Sequence, residues 1–283
     1  MAQIVDGKEI AGKILEDLKK RVRKLKALGI EPALAVVLVG KDKPSMTYVR
    51  KKGEAAGAIG LAFFKYEIEE NISKEELLEK VKRVQSEHDL SGLIVQLPLP
   101  AKFREATREI VNQIGKSIDV DCLTYDSLGK VMMGKSLLAP PTPGAIMEVL
   151  KHYRVDLKGK SVCLIGRGDL IGKPLASMLQ NEPVTLITCG KSTPDISVFT
   201  RKADVIITGV GKKDLLTGEM VKEGAVVIDA GVCFEESLMY GDIDFESVAR
   251  KASLVTPTPG GVGPITVAKL LENTVLSAEQ RVR

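Results

Sequence analysis

The chain has 283 residues, 44% hydrophobic and 28% charged, with a formal net charge of +4. That is the composition of a soluble globular protein long enough for two modest domains, each with its own core. It argues against a membrane protein, because no apolar run reaches the length of a span, and against a nucleic-acid binder, because aromatics are 4% and the basic residues are interleaved with acids. The first ten residues carry acids and no apolar block, so no secretory signal is expected.

The helical spacing of Ile10, Ile14, Leu15, Leu18, Val22 and Leu25 predicts a helix over 8–28, ended by Gly29. Residues 33–39 form a continuous apolar run, the pattern of a strand buried on both faces of a parallel sheet. A helix follows, with Pro44 and Ser45 as its start and Gly57 and Gly60 as its stop. Tyr48 and Lys52 lie one turn apart on it, with Ser45 on nearly the same stripe. Two readings fit this octet. One is a phenol and a buried amine poised for proton transfer; the other is an amphipathic helix with a solvated lysine and a half-buried tyrosine.

Strands are expected at 63–68 and 92–97, and helices at 73–87, opened by a Ser73/Glu76 capping box, and at 105–114. The alternation argues a parallel, doubly wound sheet. Regular patterning lapses over 119–143, where prolines cluster at 140, 141 and 143, and the domain boundary is placed there. A helix over 145–153 leads into the second domain.

That domain opens with a strand at 161–165, then Gly166-Arg-Gly-Asp-Leu-Ile-Gly172, then a helix over 173–180. Strand, glycine turn and helix make a Rossmann-type site: glycines let backbone approach a pyrophosphate that sits at the helix N-terminus. The spacing is GxGxxxG rather than GxGxxG. Further strands are expected at 184–188, 205–209, 225–229 and 253–256. An NAD site usually offers an acid at the tip of the second strand. Here the tip reads Thr188-Cys-Gly-Lys-Ser-Thr193, with no acid, and Lys191, Ser192, Thr193 and Arg167 suit a 2′-phosphate or are merely solvated. NADP is preferred, with NAD as the alternative. Thr256 to Pro264 reads as a rigid loop poor in side chains, fit either for a flat ligand or for a plain crossover, and the helix after it is expected to pack back onto the first domain.

Cys122, Cys163, Cys189 and Cys233 are far apart, without a CxxC pair, and read as free thiols of a reducing cytoplasm. His88 and His152 lie in no motif and read as surface residues, so neither a metal site nor histidine catalysis is expected.

Taken in order, Ser45–Lys52, Gly92–Pro100, Asp119-Val-Asp121, Pro140–Pro143, Gly166-Arg167 with Gly172-Lys-Pro174, and Thr256–Pro264 resemble the bifunctional methylenetetrahydrofolate dehydrogenase/cyclohydrolase family over essentially the whole chain. The resemblance implies two α/β domains flanking a cleft: a folate-binding catalytic domain, 1–141 completed by 265–283, and a Rossmann-type NADP-binding domain, 142–264. It implies oxidation of 5,10-methylenetetrahydrofolate by NADP and hydrolysis of the methenyl product to 10-formyltetrahydrofolate. With these go a place in one-carbon metabolism and purine biosynthesis and a cytoplasmic homodimer. By the same resemblance Lys52 is the central catalytic group, Tyr48 stacks on the folate, Gln96 holds Lys52, and Asp121 accepts hydrogen bonds from the pterin. Leu97, Gly260, Gly261 and Pro264 line the folate site. Gly166, Arg167, Gly168, Ile171, Gly172, Lys191 and Ser192 hold the dinucleotide, with Val232 near the nicotinamide. The chain departs from the family pattern at Cys122, Ser127, Pro141, Ala145, Gly168 and Gly190-Lys191. Other two-domain dehydrogenases of shikimate or amino-acid type, and a non-catalytic folate- or nucleotide-binding protein, are the rival readings.

Overall fold

A computed structural model describes residues 2–236 and 238–281. In chain order the elements are β1 (Gln3–Ile4), α1 (Gly7–Ala27), β2 (Ala33–Val39), α2 (Lys43–Ile59), β3 (Ala62–Ile68), α3 (Lys74–Glu87) and β4 (Gly92–Val95). Then come α4 (Thr107–Val111), α5 (Tyr125–Met132), α6 (Pro141–His152), β5 (Ser161–Ile165), α7 (Gly172–Leu179), β6 (Thr185–Cys189), α8 (Ser197–Thr200), β7 (Val205–Thr208) and β8 (Val226–Asp229). The chain closes with β9 (Cys233–Glu235), β10 (Leu238–Tyr240), α9 (Phe245–Ala249), β11 (Leu254–Val255) and α10 (Val262–Glu279). Two compact units result: residues 13–130, 136–141 and 267–283 in one, and 1–12, 131–135 and 142–266 in the other.

The first unit is built on a three-stranded parallel sheet, β3-β2-β4. Every residue of β2 is buried, and alternation along the strand sorts them between two cores. Ala33, Ala35, Val37 and Val39 face Leu77, Val81 and Val84 of α3. Leu34, Val36 and Leu38 face Leu18 and Val22 of α1, Val49 and Ala56 of α2, and Leu270, Leu271 and Val275 of α10. The α3 capping box is formed, with Ser73 Oγ accepting from Glu76 N at 3.1 Å and Glu76 Oε2 accepting from Ser73 N at 2.8 Å.

The second unit carries a six-stranded parallel sheet in the order β1-β11-β8-β7-β5-β6. The chain steps from β5 outward to β6, then returns to place β7 on the other side of β5. The switch point of a doubly wound sheet therefore lies at the C-terminal ends of β5 and β7, where such sheets bind ligands. An antiparallel hairpin, β9/β10, follows β8.

Several details differ from the sequence reading. The first twelve residues belong with the six-stranded unit, because β1 pairs with β11 (Gln3 opposite Leu254); a two-residue strand has no period to detect. Asp42, not Ser45, caps α2, its carboxylate accepting from Ser45 N at 2.9 Å. The helix expected over 105–114 shortens to Thr107–Val111. The stretch thought irregular contains α5, started by Thr124, whose Oγ1 accepts from Ser127 N at 3.2 Å. The last helix starts at Val262 rather than beyond Pro264, since a proline in the first turn forfeits only N–H groups that lack partners anyway.

Candidate active site and dinucleotide platform

In the three-stranded unit the candidate catalytic residues meet at the C-terminal end of β4. The helix α2 ends at Gly60, whose φ of 80° is the left-handed conformation glycine adopts freely. Gly53 lets it lie close on β3: a Cβ there would stand 2.9 Å from the Phe63 ring. So seated, Lys52 projects to the residue following β4, and its Nζ donates to Gln96 Oε1 at 2.9 Å. Gln96, 8% exposed, is fixed in turn by Nε2 donating to Leu97 O at 2.7 Å. That bond settles which way the amide faces: its oxygen is left for the lysine.

Asp121 reaches the same place from the other side. The chain after α4 runs beside β4, with Leu93 N donating to Ile118 O at 2.7 Å and Leu93 bridged to Asp119. Gly92 permits this, since a Cβ would come within 2.8 Å of Val120. Asp119, 1% exposed, then turns the chain by accepting from Leu123 N at 3.3 Å and Thr124 N at 2.9 Å. Burial pushes Asp121 up to about 6, against the pull of the Lys52 charge and helped by Asp119. Burial likewise lowers the Lys52 ammonium, and Asp121 partly restores it. Tyr48, half-buried one turn back on α2, has its phenol raised by burial.

The structure adds to the sequence reading at two residues here. Ser45, 3% exposed and on the Tyr48–Lys52 side of α2, has a buried hydroxyl without a hydrogen-bond partner. Cys122 holds a φ of 55°, the region where glycine is at ease, and burial beside Asp119 and Asp121 drives its thiol well upward.

In the six-stranded unit the glycine turn joins β5 to α7. Gly166 has a φ of 121°, and a Cβ on Gly172 would meet Gly166 O at 2.2 Å. Ile171, at the helix start, offers no side-chain cap; Lys173 N donates to Gly168 O at 3.0 Å, Leu175 N donates to Ile171 O at 2.8 Å, and Pro174 has no N–H, which leaves the Gly172 N–H of the first turn of α7 to meet an anion. Gly168 has open space around it. Arg167 lies across the tip of β6, its Nη2 donating to Thr188 O at 2.8 Å. Gly190 makes room for it, since a Cβ there would sit 3.1 Å from Arg167 Cδ. Lys191 and Ser192 are exposed just beyond, and Gly190 N donates to Thr193 Oγ1 at 3.0 Å. This is an acid-free, cationic strand tip, and its residues fit a 2′-phosphate. Val232, 37% exposed, follows β8. Gly260, with a φ of 108°, accepts from Gly7 N at 3.0 Å through its carbonyl. Gly261 packs so closely on Pro257 O that a Cβ would approach to 2.6 Å, and Pro264 stands in the first turn of α10. Lys52, Gln96 and Asp121 thus form one cluster, while the glycine turn, Arg167, Lys191 and Ser192 form another.

Among the described residues no helix is long and apolar enough to cross a membrane, and no group of three or more His, Cys, Asp or Glu could hold a metal ion. All four cysteines are free.

A switch-point sheet with a glycine turn, joined to an α/β unit bearing a half-buried lysine held by a glutamine, defines a two-unit, dinucleotide-dependent oxidoreductase. Known proteins narrow the class. Residues 5–121 match the family profile described as tetrahydrofolate dehydrogenase/cyclohydrolase, catalytic domain, and residues 140–282 match that family's NAD(P)-binding domain. The chain is 43% identical to the bifunctional protein FolD of Nautilia profundicola over 277 residues, covering 98% of this chain and 97% of that protein. It superposes with a TM-score of 0.95 on the FolD methylenetetrahydrofolate dehydrogenase/cyclohydrolase of Campylobacter jejuni, at 41% identity, covering 99% and 100% of the two chains. Against the FolD enzyme of Trypanosoma brucei, solved with NADP cofactor and inhibitor, the TM-score is 0.94 at 35% identity, covering 100% and 99%. The chain belongs to the tetrahydrofolate dehydrogenase/cyclohydrolase family.

Proposed function

We propose that this protein oxidises 5,10-methylenetetrahydrofolate with NADP and hydrolyses the product to 10-formyltetrahydrofolate, with Lys52 as the group that handles the proton in the second step. The observation that carries this reading is the Lys52 amine, held 2.9 Å from Gln96 Oε1 and depressed in pKa by burial next to Asp121. An amine so placed reaches its neutral, basic form nearer to physiological pH.

Bound NADP accepts the hydride leaving the methylene carbon. The methenyl cation that remains is electrophilic at that carbon. The neutral Lys52 amine takes a proton from water as the oxygen bonds to the cation; the resulting ammonium returns that proton to the ring nitrogen as its bond to the carbon breaks, and the adduct's hydroxyl releases its remaining proton to solvent as it becomes the formyl carbonyl. Gln96, able to offer Lys52 only its oxygen, keeps the amine aimed. Asp121 is a carboxylate suited to the amino edge of a pterin, and Tyr48 offers a half-buried ring face on which that pterin stacks. Leu97, Gly260, Gly261 and Pro264 complete the folate contacts in this reading. Gly166, Gly168, Ile171 and Gly172 receive the pyrophosphate, Arg167, Lys191 and Ser192 the 2′-phosphate, and Val232 the nicotinamide end. The rival dehydrogenase and pure binding readings are not favoured by the family profiles or by the relatives.

By the resemblance to its family the protein is a cytoplasmic homodimer whose formyl product serves purine biosynthesis; sedimentation of the purified chain tests the dimer. Absorbance assays for NADPH formation from methylenetetrahydrofolate and for hydrolysis of methenyltetrahydrofolate test the reactions. Activity in both, with NADP used better than NAD, is expected, and silence in both overturns the proposal.

A further inference from the structure

The six-stranded unit contains two buried carboxylates that the mechanism leaves unused. Asp229, 1% exposed, ends β8, and Asp242, 0% exposed, follows β10. Neither faces a cationic side chain in its hydrogen bonding; main-chain N–H groups and one hydroxyl surround them. Asp242 Oδ2 accepts from Val210 N at 2.7 Å, and Oδ1 accepts from Gly211 N at 2.7 Å and Lys212 N at 2.8 Å. Asp229 Oδ1 accepts from Thr208 Oγ1 and Gly231 N, both at 2.9 Å, and Oδ2 accepts from Asp242 N at 2.8 Å and Ile243 N at 3.2 Å. Asp229 therefore seats the backbone that carries Asp242. The packing leaves no slack: a Cβ on Gly231 would stand 2.1 Å from Asp242 Cγ, and one on Gly241 would stand 1.9 Å from Asp229 Oδ2.

The three donors on Asp242 belong to the loop directly after β7, which borders the switch point. A Cβ on Gly209 would be 3.0 Å from Ile171 of the glycine turn, and one on Gly166 would be 2.9 Å from Gly209 O. Lys213 ties the same loop to the hairpin, its Nζ 2.8 Å from Glu235 and 3.9 Å above the Tyr240 ring. Burying a carboxylate without a counter-ion is costly unless donors satisfy it, and here the donors are the loop itself. We infer that Asp242, seated by Asp229, is a positioning residue that sets the Val210–Lys212 backbone as one wall of the dinucleotide site. This rests on the proposed dehydrogenase reading.

The test is D242N in the full chain. It keeps the side-chain shape but turns an amide NH2 toward main-chain N–H groups. The expected result is a KM and a directly titrated Kd for NADP raised about tenfold or more, with the KM for methylenetetrahydrofolate and the rate of methenyl hydrolysis within about twofold of wild type. G211A gives a second reading should D242N not fold. It leaves Asp242 intact and strains the loop, since Gly211 has a φ of 78° and a Cβ would lie 3.0 Å from Val232 O; the same split is expected. Unchanged NADP affinity in a folded variant overturns the inference, as does a parallel fall of both activities with thermal stability. A wild-type chain that binds no NADP overturns the underlying reading instead.

Discussion

Asp121 and Asp229 are both carboxyls that burial pushes up to about 6, but their company differs. Asp121 faces an ammonium, Lys52, and a second carboxylate, Asp119. Asp229 faces Asp242, and its oxygens are filled by N–H groups and a hydroxyl. Around Asp121 the neighbours themselves gain and lose protons, so a ligand that alters one charge alters the others. Around Asp229 the hydrogen-bond donors are peptide groups and one hydroxyl that do not exchange charge, and with Asp242 as its acidic neighbour the carboxylate instead fixes where the backbone goes. Two buried acids of similar acidity thus serve a reaction in one unit and an architecture in the other.

Removing the movable proton should have the largest effect. K52A is expected to slow methenyl hydrolysis by about 10²–10⁴-fold, the range for a general acid–base group, and hydride transfer by less than about tenfold; equal losses in separate assays of the two steps would refute the role given to Lys52. D121N should raise the folate KM by about 10–100-fold, the worth of a hydrogen bond to a charged group. Asp121 raises the Lys52 pKa, so the rising limb of the hydrolysis pH profile should move to lower pH in this variant.

D121N also tests stability. The folded carboxyl, at about 6, holds its proton more tightly than the ordinary value of 3.8. Its stabilising contribution is therefore complete below pH ~4 and lost as pH rises through ~6. Denaturant unfolding across that window should show D121N losing less stability than wild type, by on the order of 2–3 kcal/mol.

G190D places an acid at the tip of β6 and crowds Arg167; its NADP-over-NAD preference should fall about tenfold in paired KM measurements. S73A gives the smallest effect. Glu76 is also held by a peptide N–H, but on the exposed surface. Losing that cap should cost about 1 kcal/mol in unfolding and leave both activities unchanged.

Much of this was legible in the sequence because period and punctuation agree with the fold. The apolar run of β2, the capping box at Ser73 and the glycine turn after β5 each name an element without help from the rest of the chain. α5 was hidden because Thr124 and Ser127 start it inside a proline-flanked stretch. Tyr48 and Lys52 could be paired by helical spacing, but their companions Gln96 and Asp121 came only through family resemblance, because sheet order brings them near. Asp229 and Asp242 could not be paired at all. Thirteen positions and a hairpin separate them, and nothing in either local sequence marks an acid as buried.

One further consequence concerns the thiols. Cys122, Cys163 and Cys189 are buried, and Cys163 and Cys189 lie side by side in the sheet with sulfurs 3.8 Å apart. Burial pushes Cys163 up to about 12. Cys233, on β9 directly after Val232, is the one that solvent partly reaches. A maleimide fluorophore added to the native protein will therefore attach at that hairpin, giving a reporter beside the carboxylate-held loop with no engineered cysteine.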